Sequence, residues 1–149
     1  MGGRLRMWIK FEDDNMGELY AEFDAYGFSG RGSAWFQMSN LVAQAKQFAQ
    51  YPLVSANIPC INGGFWNSDA TKIVEEHFYI STYPTNDRGG VALFVRLAVP
   101  RPDQNRPGLH CSASVELKAS YEQLSKFSSD LESLACGNTA EIVFSEINE

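Results

Sequence analysis

Successive stretches with a two-residue period constrain this chain more than any other feature. In residues 91–99 large aliphatic side chains fall on every second position, and residues 108–118 repeat the pattern with serines between. A period of two is that of a β-strand with one buried face. Comparable runs occupy residues 5–11, 18–28, 73–83 and 139–147. Strands that follow one another directly favour an antiparallel sheet over a parallel, doubly wound one.

Two segments follow a helical period instead. After the run Ser29–Ser33, which we interpret as the end of a strand with Ser33 as a helix cap, apolar residues recur at helical spacing as far as Pro52. Their members are Met38, Leu41, Val42, Ala45, Phe48 and Ala49. Ser120 and Gln123 match a capping box, and the apolar stripe behind them ends at Gly137.

These patterns predict an α+β fold: a mainly antiparallel sheet with two helices packed on it, in the order ββα, three or four strands, α, β. The 149-residue length fits one domain, which we place at residues 4–149. Residues 1–3 are interpreted as a disordered start or a cloning remnant. Residues 53–72, rich in Pro, Gly and Asn, predict one short strand and a long loop.

The charge balance argues against nucleic acid as a partner. Twelve basic and eighteen acidic residues give a formal charge of -6, which is the wrong sign for binding a phosphate backbone. Charged residues interrupt the first twenty positions, and no apolar run reaches the length of a membrane span. Cys60, Cys111 and Cys136, each in an apolar or small-residue context, fit reduced thiols with packing roles. We therefore expect a cytoplasmic protein that binds neither nucleic acid nor membrane.

Motifs for catalysis or cofactor binding are incomplete. Residues 27–33 resemble a phosphate loop in their glycine spacing, but Ser33 stands where the lysine belongs, so a tight strand-to-helix turn is the preferred interpretation. His77 and His110 have no metal-ligand spacing, and His110 and Cys111 are neighbours that would point to opposite faces of a strand. The sequence predicts no catalytic residue, no metal site and no cofactor.

A candidate docking face lies on the second predicted strand. Tyr20, Glu22, Asp24 and Tyr26 share one side of it and combine aromatic groups with negative charge, which suits a basic protein partner. The plainer alternative is a solvated surface on which the tyrosines cover the edge of the core. Trp66, in the irregular 53–72 region, is a further candidate contact residue.

Two segments resemble the bacterial immunity proteins of the WapI immunity type. One is residues 18–48, where an alternating strand leads into Gly27-Phe28-Ser29-Gly30-Arg31-Gly32 and then Ala34-Trp35-Phe36. The other is the strand-to-helix junction of residues 115–124. The resemblance implies a small, non-enzymatic cytoplasmic protein that neutralises a cognate toxin by binding it directly. The acidic balance would suit a basic toxin domain.

Two other functions remain open from sequence. A small enzyme or ligand-binding protein would have a pocket between sheet and helices, lined by Trp35, Phe65, Trp66 and His77. A secretion chaperone would share the acidity and the α+β content, although the strand-first order argues against it.

Overall fold

The structure contains eight strands within residues 2–103 and 105–147, the part of the chain that the computed structural model describes, and six of them correspond to the alternating segments. Two α-helices accompany them, and a short 3-10 turn, Gln47–Ala49, continues the first helix. The elements are β1 (Arg4–Phe11), β2 (Met16–Ala25), β3 (Phe28–Gln37), α1 (Met38–Lys46), β4 (Cys60–Trp66), β5 (Ile73–Pro84), β6 (Val91–Pro100), β7 (Leu109–Ala119), α2 (Tyr121–Ala135) and β8 (Ile142–Ser145).

The strands divide into two antiparallel sheets. Sheet A has the order β3-β2-β1-β8, and sheet B has the order β4-β5-β6-β7. The α+β class, the antiparallel pairing and the two helices are confirmed, whereas the prediction of one sheet in the order ββα is wrong because a third strand precedes α1. Alternation identifies a strand's buried face but not its partner, so two sheets and one give the same sequence pattern.

The inner faces of the two sheets and the helices enclose one hydrophobic core. Phe36 of sheet A meets Phe78 of sheet B edge to face, with ring centroids 5.7 Å apart. Phe127 of α2 packs against Phe48 at 5.5 Å and against Phe144 of β8 at 5.9 Å. Because α2 packs on the inner side of sheet A, the outer face of that sheet is left to solvent.

The largest difference from the sequence prediction concerns residues 29–33, which lie inside β3 and not in a turn before a helix. The chain reverses at Tyr26 and Gly27, both with positive φ, as in a two-residue hairpin turn. A Cβ on Gly32 would stand 3.1 Å from the carbonyl oxygens of His77 and Ala98. Glycine therefore lets β3 cross sheet B closely, which local propensity does not reveal.

The start of α1 also differs from the sequence prediction, whereas the start of α2 agrees with it. Ser33 does not cap α1, since its hydroxyl donates to Glu18 within sheet A at 2.6 Å. Helix α1 begins directly after β3, and the backbone N–H of Met38 donates to the carbonyl of Asn15 at 2.6 Å. The predicted capping box of Ser120 and Gln123 at α2 is confirmed.

The remaining segments follow the sequence patterns. Residues 53–72 contain β4 and irregular chain, as predicted. Of residues 1–3, which the sequence leads us to interpret as a disordered start or a cloning remnant, Gly3 is buried and its N–H donates to the carboxylate of Glu146 at 3.1 Å; Met1 lies outside the described residues. In the described ranges, no helix has both the length and the apolar character needed to cross a membrane.

Candidate functional site

The predicted docking residues of β2 lie on the outer face of sheet A. Leu19, Ala21 and Phe23 point inward and are fully buried, so Tyr20, Glu22 and Asp24 point outward, as the alternation predicts. Tyr26 lies in the turn beyond β2 and is exposed. Three of the predicted residues therefore share one surface, with Tyr26 at its end.

The centre of this surface is a ring stack that sequence reasoning missed. Trp8 of β1 lies directly opposite Tyr20, and their rings are parallel within 3° with centroids 5.5 Å apart. The Arg6 guanidinium lies 4.5 Å from the Trp8 ring centroid and that of Arg31 lies 5.3 Å from it. A cation over an indole face is held by the ring quadrupole. We call Arg6, Trp8, Tyr20, Glu22 and Arg31 the Trp8 cluster.

Hydrogen bonds fix the tyrosine of the cluster. The Tyr20 hydroxyl donates to Glu18 at 2.8 Å, and Glu18 also accepts from Ser33. This hydrogen bond, with a further contribution from desolvation, raises the pKa of Tyr20 above its ordinary value. The hydrogen bond to Glu18 therefore fixes the position of the hydroxyl and helps to hold the ring against Trp8.

The surface is not uniformly acidic, as its β2 residues alone had suggested. The Glu22 carboxylate lies 3.7 Å from both Arg6 and Arg31, and Arg6 also pairs with Glu141 at 2.5 Å. These side chains are about half exposed, so each pair contributes about 0–1 kcal/mol. Positive and negative charges on this face are consequently balanced. The feature that sets the face apart from an ordinary solvated sheet surface is the pair of aromatic rings at its centre.

A small cleft adjoins the cluster where β3 meets the end of β6. Tyr20, Arg31 and Ser33 line one side, and Val99 and Pro100 line the other. Its volume is about 240 Å³, below the roughly 300 Å³ at which small-molecule pockets begin. The cleft therefore suits one side chain of a protein partner better than a free ligand.

Trp66 lies apart from the Trp8 cluster. It lines a larger cleft of about 610 Å³ between α1, β3 and β4, together with Trp35, Gln44 and Asn62. Trp35 also lies on the outer face of sheet A, next to Glu18, so it borders both surfaces. The structure thus brings Trp66 close to Trp35 rather than to Tyr20.

The pocket predicted for an enzyme or ligand carrier holds only two of its four residues. Phe65 and His77 do not line the Trp35–Trp66 cleft; their rings contact each other edge to face at 4.5 Å. His77 is 5% exposed, and its Nε2 lies 2.7 Å from the Glu75 carboxylate, which also accepts from the Gly108 N–H. His77 therefore has the partners of a structural residue.

The thiols differ in their surroundings. Cys111 and Cys136 are exposed, so the packing role predicted for them is wrong, and only Cys60 is partly buried. Burial, with the nearby charge of Glu76, raises the pKa of the Cys60 thiol and keeps it protonated. Among the described residues, no group of three or more His, Cys, Asp or Glu side chains could hold a metal ion.

A second aromatic cluster, also missed from sequence, lies on sheet B. Tyr79 and Phe94 have ring centroids 6.1 Å apart, and the Arg96 guanidinium lies 4.7 Å from the Tyr79 ring centroid. Arg96 also pairs with Glu76. This cluster resembles the Trp8 cluster in composition but lacks a tryptophan.

Comparison with known proteins adds no assignment. The chain matches no protein-family model, and neither the search of curated proteins nor the search of solved structures finds a match.

Proposed function

We propose that this protein is a non-enzymatic cytoplasmic immunity protein that binds a cognate bacterial toxin domain through the outer face of sheet A. The proposal rests mainly on the Trp8 cluster, an aromatic stack between two arginines on the outer face of sheet A, which neither of the two helices of the described residues covers. The resemblance of residues 18–48 and 115–124 to immunity proteins supplies the class of partner. Binding would block the active site or the substrate surface of the toxin.

The composition of the cluster supports protein binding. Tryptophan, tyrosine and arginine dominate the residues that contribute most to protein interfaces, whereas an ordinary solvated sheet face carries charged and small polar side chains. Around Trp8 and Tyr20 lie the ion-paired Glu22 and the exposed Asp24. An aromatic centre with a polar rim is the usual anatomy of an interface.

The charge of the whole chain supports a basic partner. The formal charge of -6 attracts a positively charged domain over distance, even though the Trp8 cluster itself is balanced. We therefore assign two stages to recognition: the net charge accelerates encounter, and the aromatic stack with its adjoining cleft slows dissociation.

The direct test is binding to the partner that the proposal predicts, a toxin domain encoded by a gene adjacent to that of this protein. Wild type and Trp8→Ala are immobilised and the purified toxin domain is titrated over each. We expect at least a tenfold weaker affinity for Trp8→Ala, because truncation of a central interface aromatic costs about 2 kcal/mol or more. Phe94→Ala, from the aromatic cluster of sheet B, is the matched control and should bind like wild type.

The results distinguish a wrong function from a wrongly placed interface. No binding of wild type to the adjacent product would overturn the immunity function itself. Binding that Trp8→Ala leaves intact and Phe94→Ala weakens would move the interface to sheet B.

Ligand binding in the Trp35–Trp66 cleft is a second candidate. Gln44 lines this cleft, and its side-chain oxygen is buried without a hydrogen-bond partner among the described residues. A buried acceptor left unpaired costs free energy that a bound donor would recover. The test is a thermal-shift screen of neutral polar small molecules against wild type and Trp66→Ala; a stabiliser that acts on wild type alone would support this function.

A further inference from the structure

The Trp35–Trp66 cleft between α1, β3 and β4 has the composition of a binding site for an uncharged ligand. Trp35 is 49% exposed and Trp66 is 48% exposed, so each offers an open ring surface. The cleft volume of about 610 Å³ lies within the roughly 300–1,000 Å³ that is usual for small-molecule sites. Within residues 2–103 and 105–147, no charged side chain lines it. A charged ligand would lose its hydration there without gaining a counter-charge, so the cleft suits a neutral one.

Four side-chain amides line the cleft from three different elements. Gln37 ends β3, Asn40 and Gln44 lie on α1, and Asn62 lies on β4. Asn40 donates to the side-chain oxygen of Gln37 at 3.2 Å, which orients that pair. A side-chain amide can both donate and accept hydrogen bonds, as a hydroxyl group can. A ligand with hydroxyl groups around its periphery would therefore meet a suitable partner on each side of the cleft.

The amide of Gln44 has hydrogen-bonding capacity that the protein leaves unused. Its side-chain oxygen is buried and has no partner among the described residues. The amide can therefore turn toward a ligand without breaking a hydrogen bond of that oxygen. A ligand hydroxyl that donates to the oxygen would recover the free energy lost by leaving a buried acceptor unpaired. Gln44 is accordingly the polar side chain on which ligand binding should depend most.

A hydrogen-bonded loop forms the wall of the cleft beside Trp66. The side-chain oxygen of Asn67 accepts from the backbone N–H groups of Thr71 at 2.9 Å and of Lys72 at 3.2 Å. Ala70, which lines the cleft, has a φ of 58°, a left-handed conformation that a residue with a side chain keeps only where its surroundings hold it. The wall is thus formed before a ligand arrives, which lowers the entropic cost of binding.

We propose that the Trp35–Trp66 cleft binds a neutral saccharide. This inference rests on the ligand-binding function given above as the second candidate for the cleft. A sugar ring has apolar C–H faces that pack against tryptophan rings, and hydroxyl groups around its edge that exchange hydrogen bonds with amides. Trp35 and Trp66 contact the ring faces, and Gln44 and Asn62 bond to the hydroxyl groups.

A nucleobase, the other common neutral ring, fits the cleft less well. Its polar atoms lie in the plane of one flat ring, whereas the amides reach the cleft from β3, α1 and β4. A bound base would leave some of these amides without a partner, which costs free energy. The phosphates of a nucleotide would in addition find no cationic side chain among the described residues of the lining.

Titration calorimetry with the full chain tests the inference. The probes are maltose, cellobiose and N,N′-diacetylchitobiose, whose two rings match the two tryptophans. We expect at least one of them to bind wild type with a dissociation constant of about 1 mM or tighter. Trp66→Ala should weaken that binding about tenfold or more, because it removes one of the ring surfaces. Gln44→Met, which removes the amide but nearly keeps the shape of the side chain, should weaken it about three- to tenfold.

Two matched controls lie outside the cleft. Gln47→Met makes the same change at an exposed residue of the 3-10 turn after α1, and Trp8→Ala removes the tryptophan of the Trp8 cluster. Both should bind saccharide like wild type, and circular dichroism confirms that every variant is folded. Because Trp8→Ala alters the proposed toxin interface and not the cleft, the result is independent of the immunity function.

Adenosine, titrated in parallel, separates the ligand class from the ligand-binding function. If none of the saccharides binds, the proposal is overturned. The ligand-binding function of the cleft fails with it only if adenosine and the thermal-shift screen are negative too. Saccharide binding that Trp66→Ala and Gln44→Met both leave unchanged would place the site elsewhere and would also overturn the proposal.

Discussion

The phenol of Tyr26 donates a hydrogen bond to the carboxylate of Glu146, a residue 120 positions further along the chain. The same carboxylate accepts from the backbone N–H of Gly3 at 3.1 Å and of Lys118 at 2.9 Å. Glu146 is 6% exposed. One side chain thus holds together the start of β1, the β2–β3 turn, the end of β7 and the segment after β8.

Replacing this carboxylate should destabilise the fold. Glu146→Gln puts an amide NH2 group where an oxygen accepts hydrogen bonds, and we expect a loss of about 1–3 kcal/mol in the free energy of unfolding. Urea denaturation monitored by tryptophan fluorescence measures it. Glu141→Gln, which loses an exposed pair with Arg6, is the control and should cost less than about 1 kcal/mol. Equal losses for the two variants would contradict the role given to Glu146.

The contribution of Glu146 should also depend on pH. Burial raises the pKa of this carboxyl, but the hydrogen bonds from Tyr26, Lys118 and Gly3 outweigh burial and lower its pKa below the ordinary 4.5. A carboxyl whose pKa is lower in the folded state than in the unfolded state contributes its full stabilisation of the fold above pH 4.5. This stabilisation is lost as the pH falls through the folded-state pKa. The stability difference between wild type and Glu146→Gln should therefore shrink under acid conditions. A difference that stays constant from neutral to acid pH would refute this linkage.

Gly32 should resist substitution for a packing reason. A methyl group there meets the carbonyl oxygens of His77 and Ala98 at 3.1 Å, and backbone cannot yield as a flexible side chain does. We expect Gly32→Ala to lower the free energy of unfolding by about 1–3 kcal/mol. Ser29→Ala, on the exposed side of the same strand, should change it by less than about 0.5 kcal/mol. A neutral Gly32→Ala would mean that β3 and sheet B can separate at little cost.

The placement of residues 27–33, with Gly27 in a hairpin turn and the rest in β3, predicts that they do not bind nucleotide. A ligand at a hundred times its dissociation constant stabilises a protein by about 2.7 kcal/mol, which a melting curve detects readily. We expect nucleoside triphosphate with magnesium to leave the melting temperature unchanged. A clear rise, absent in Gly32→Ala, would restore the phosphate-loop interpretation.

Binding kinetics should separate charge from aromatic contact at the proposed interface. Glu22→Gln with Asp24→Asn makes the chain less negative, so association with a basic toxin domain should slow and depend less on salt. Tyr20→Ala removes the stacking partner of Trp8 and should mainly speed dissociation. Surface-based kinetics at several salt concentrations would measure both rates. If both variants change only the association rate, Tyr20 is not a contact residue.

The sequence predicts those elements whose signal is local. The residues around Ser120 carry a complete capping box ahead of an apolar stripe, and α2 begins there. The alternation in residues 91–99 and 108–118 matches β6 and β7 because each strand buries mainly one face. In these segments propensity, pattern and burial agree.

Prediction from the sequence fails where contacts between residues far apart in the chain determine the structure. The run Ser29–Ser33 has the composition of a turn, yet it pairs with β2, and its Gly32 permits close contact with β5 and β6 while its Gly30 permits close contact with β7. These contacts join residues far apart in sequence, so no local window contains them. The division into two sheets was missed for the same reason.

The candidate site was predicted in part. The outward side of β2 follows from alternation alone, which placed Tyr20 and Glu22 correctly. The sequence analysis missed Trp8, Arg6 and Arg31. Their contacts with Tyr20 and with one another depend on the pairing of β1, β2 and β3, which sequence patterns do not specify. Arg6 and Trp8 occupy alternate positions of a predicted strand, and that spacing was the one available signal.

The order of the strands in sheet A has a consequence for synthesis on the ribosome. Strand β1 has two neighbours: β2, which follows at once, and β8, which is translated only after all four strands of sheet B. Sheet B is contiguous in the chain and can complete its hydrogen bonds as each successive strand emerges. The nascent protein therefore carries β1 with one open edge throughout that interval.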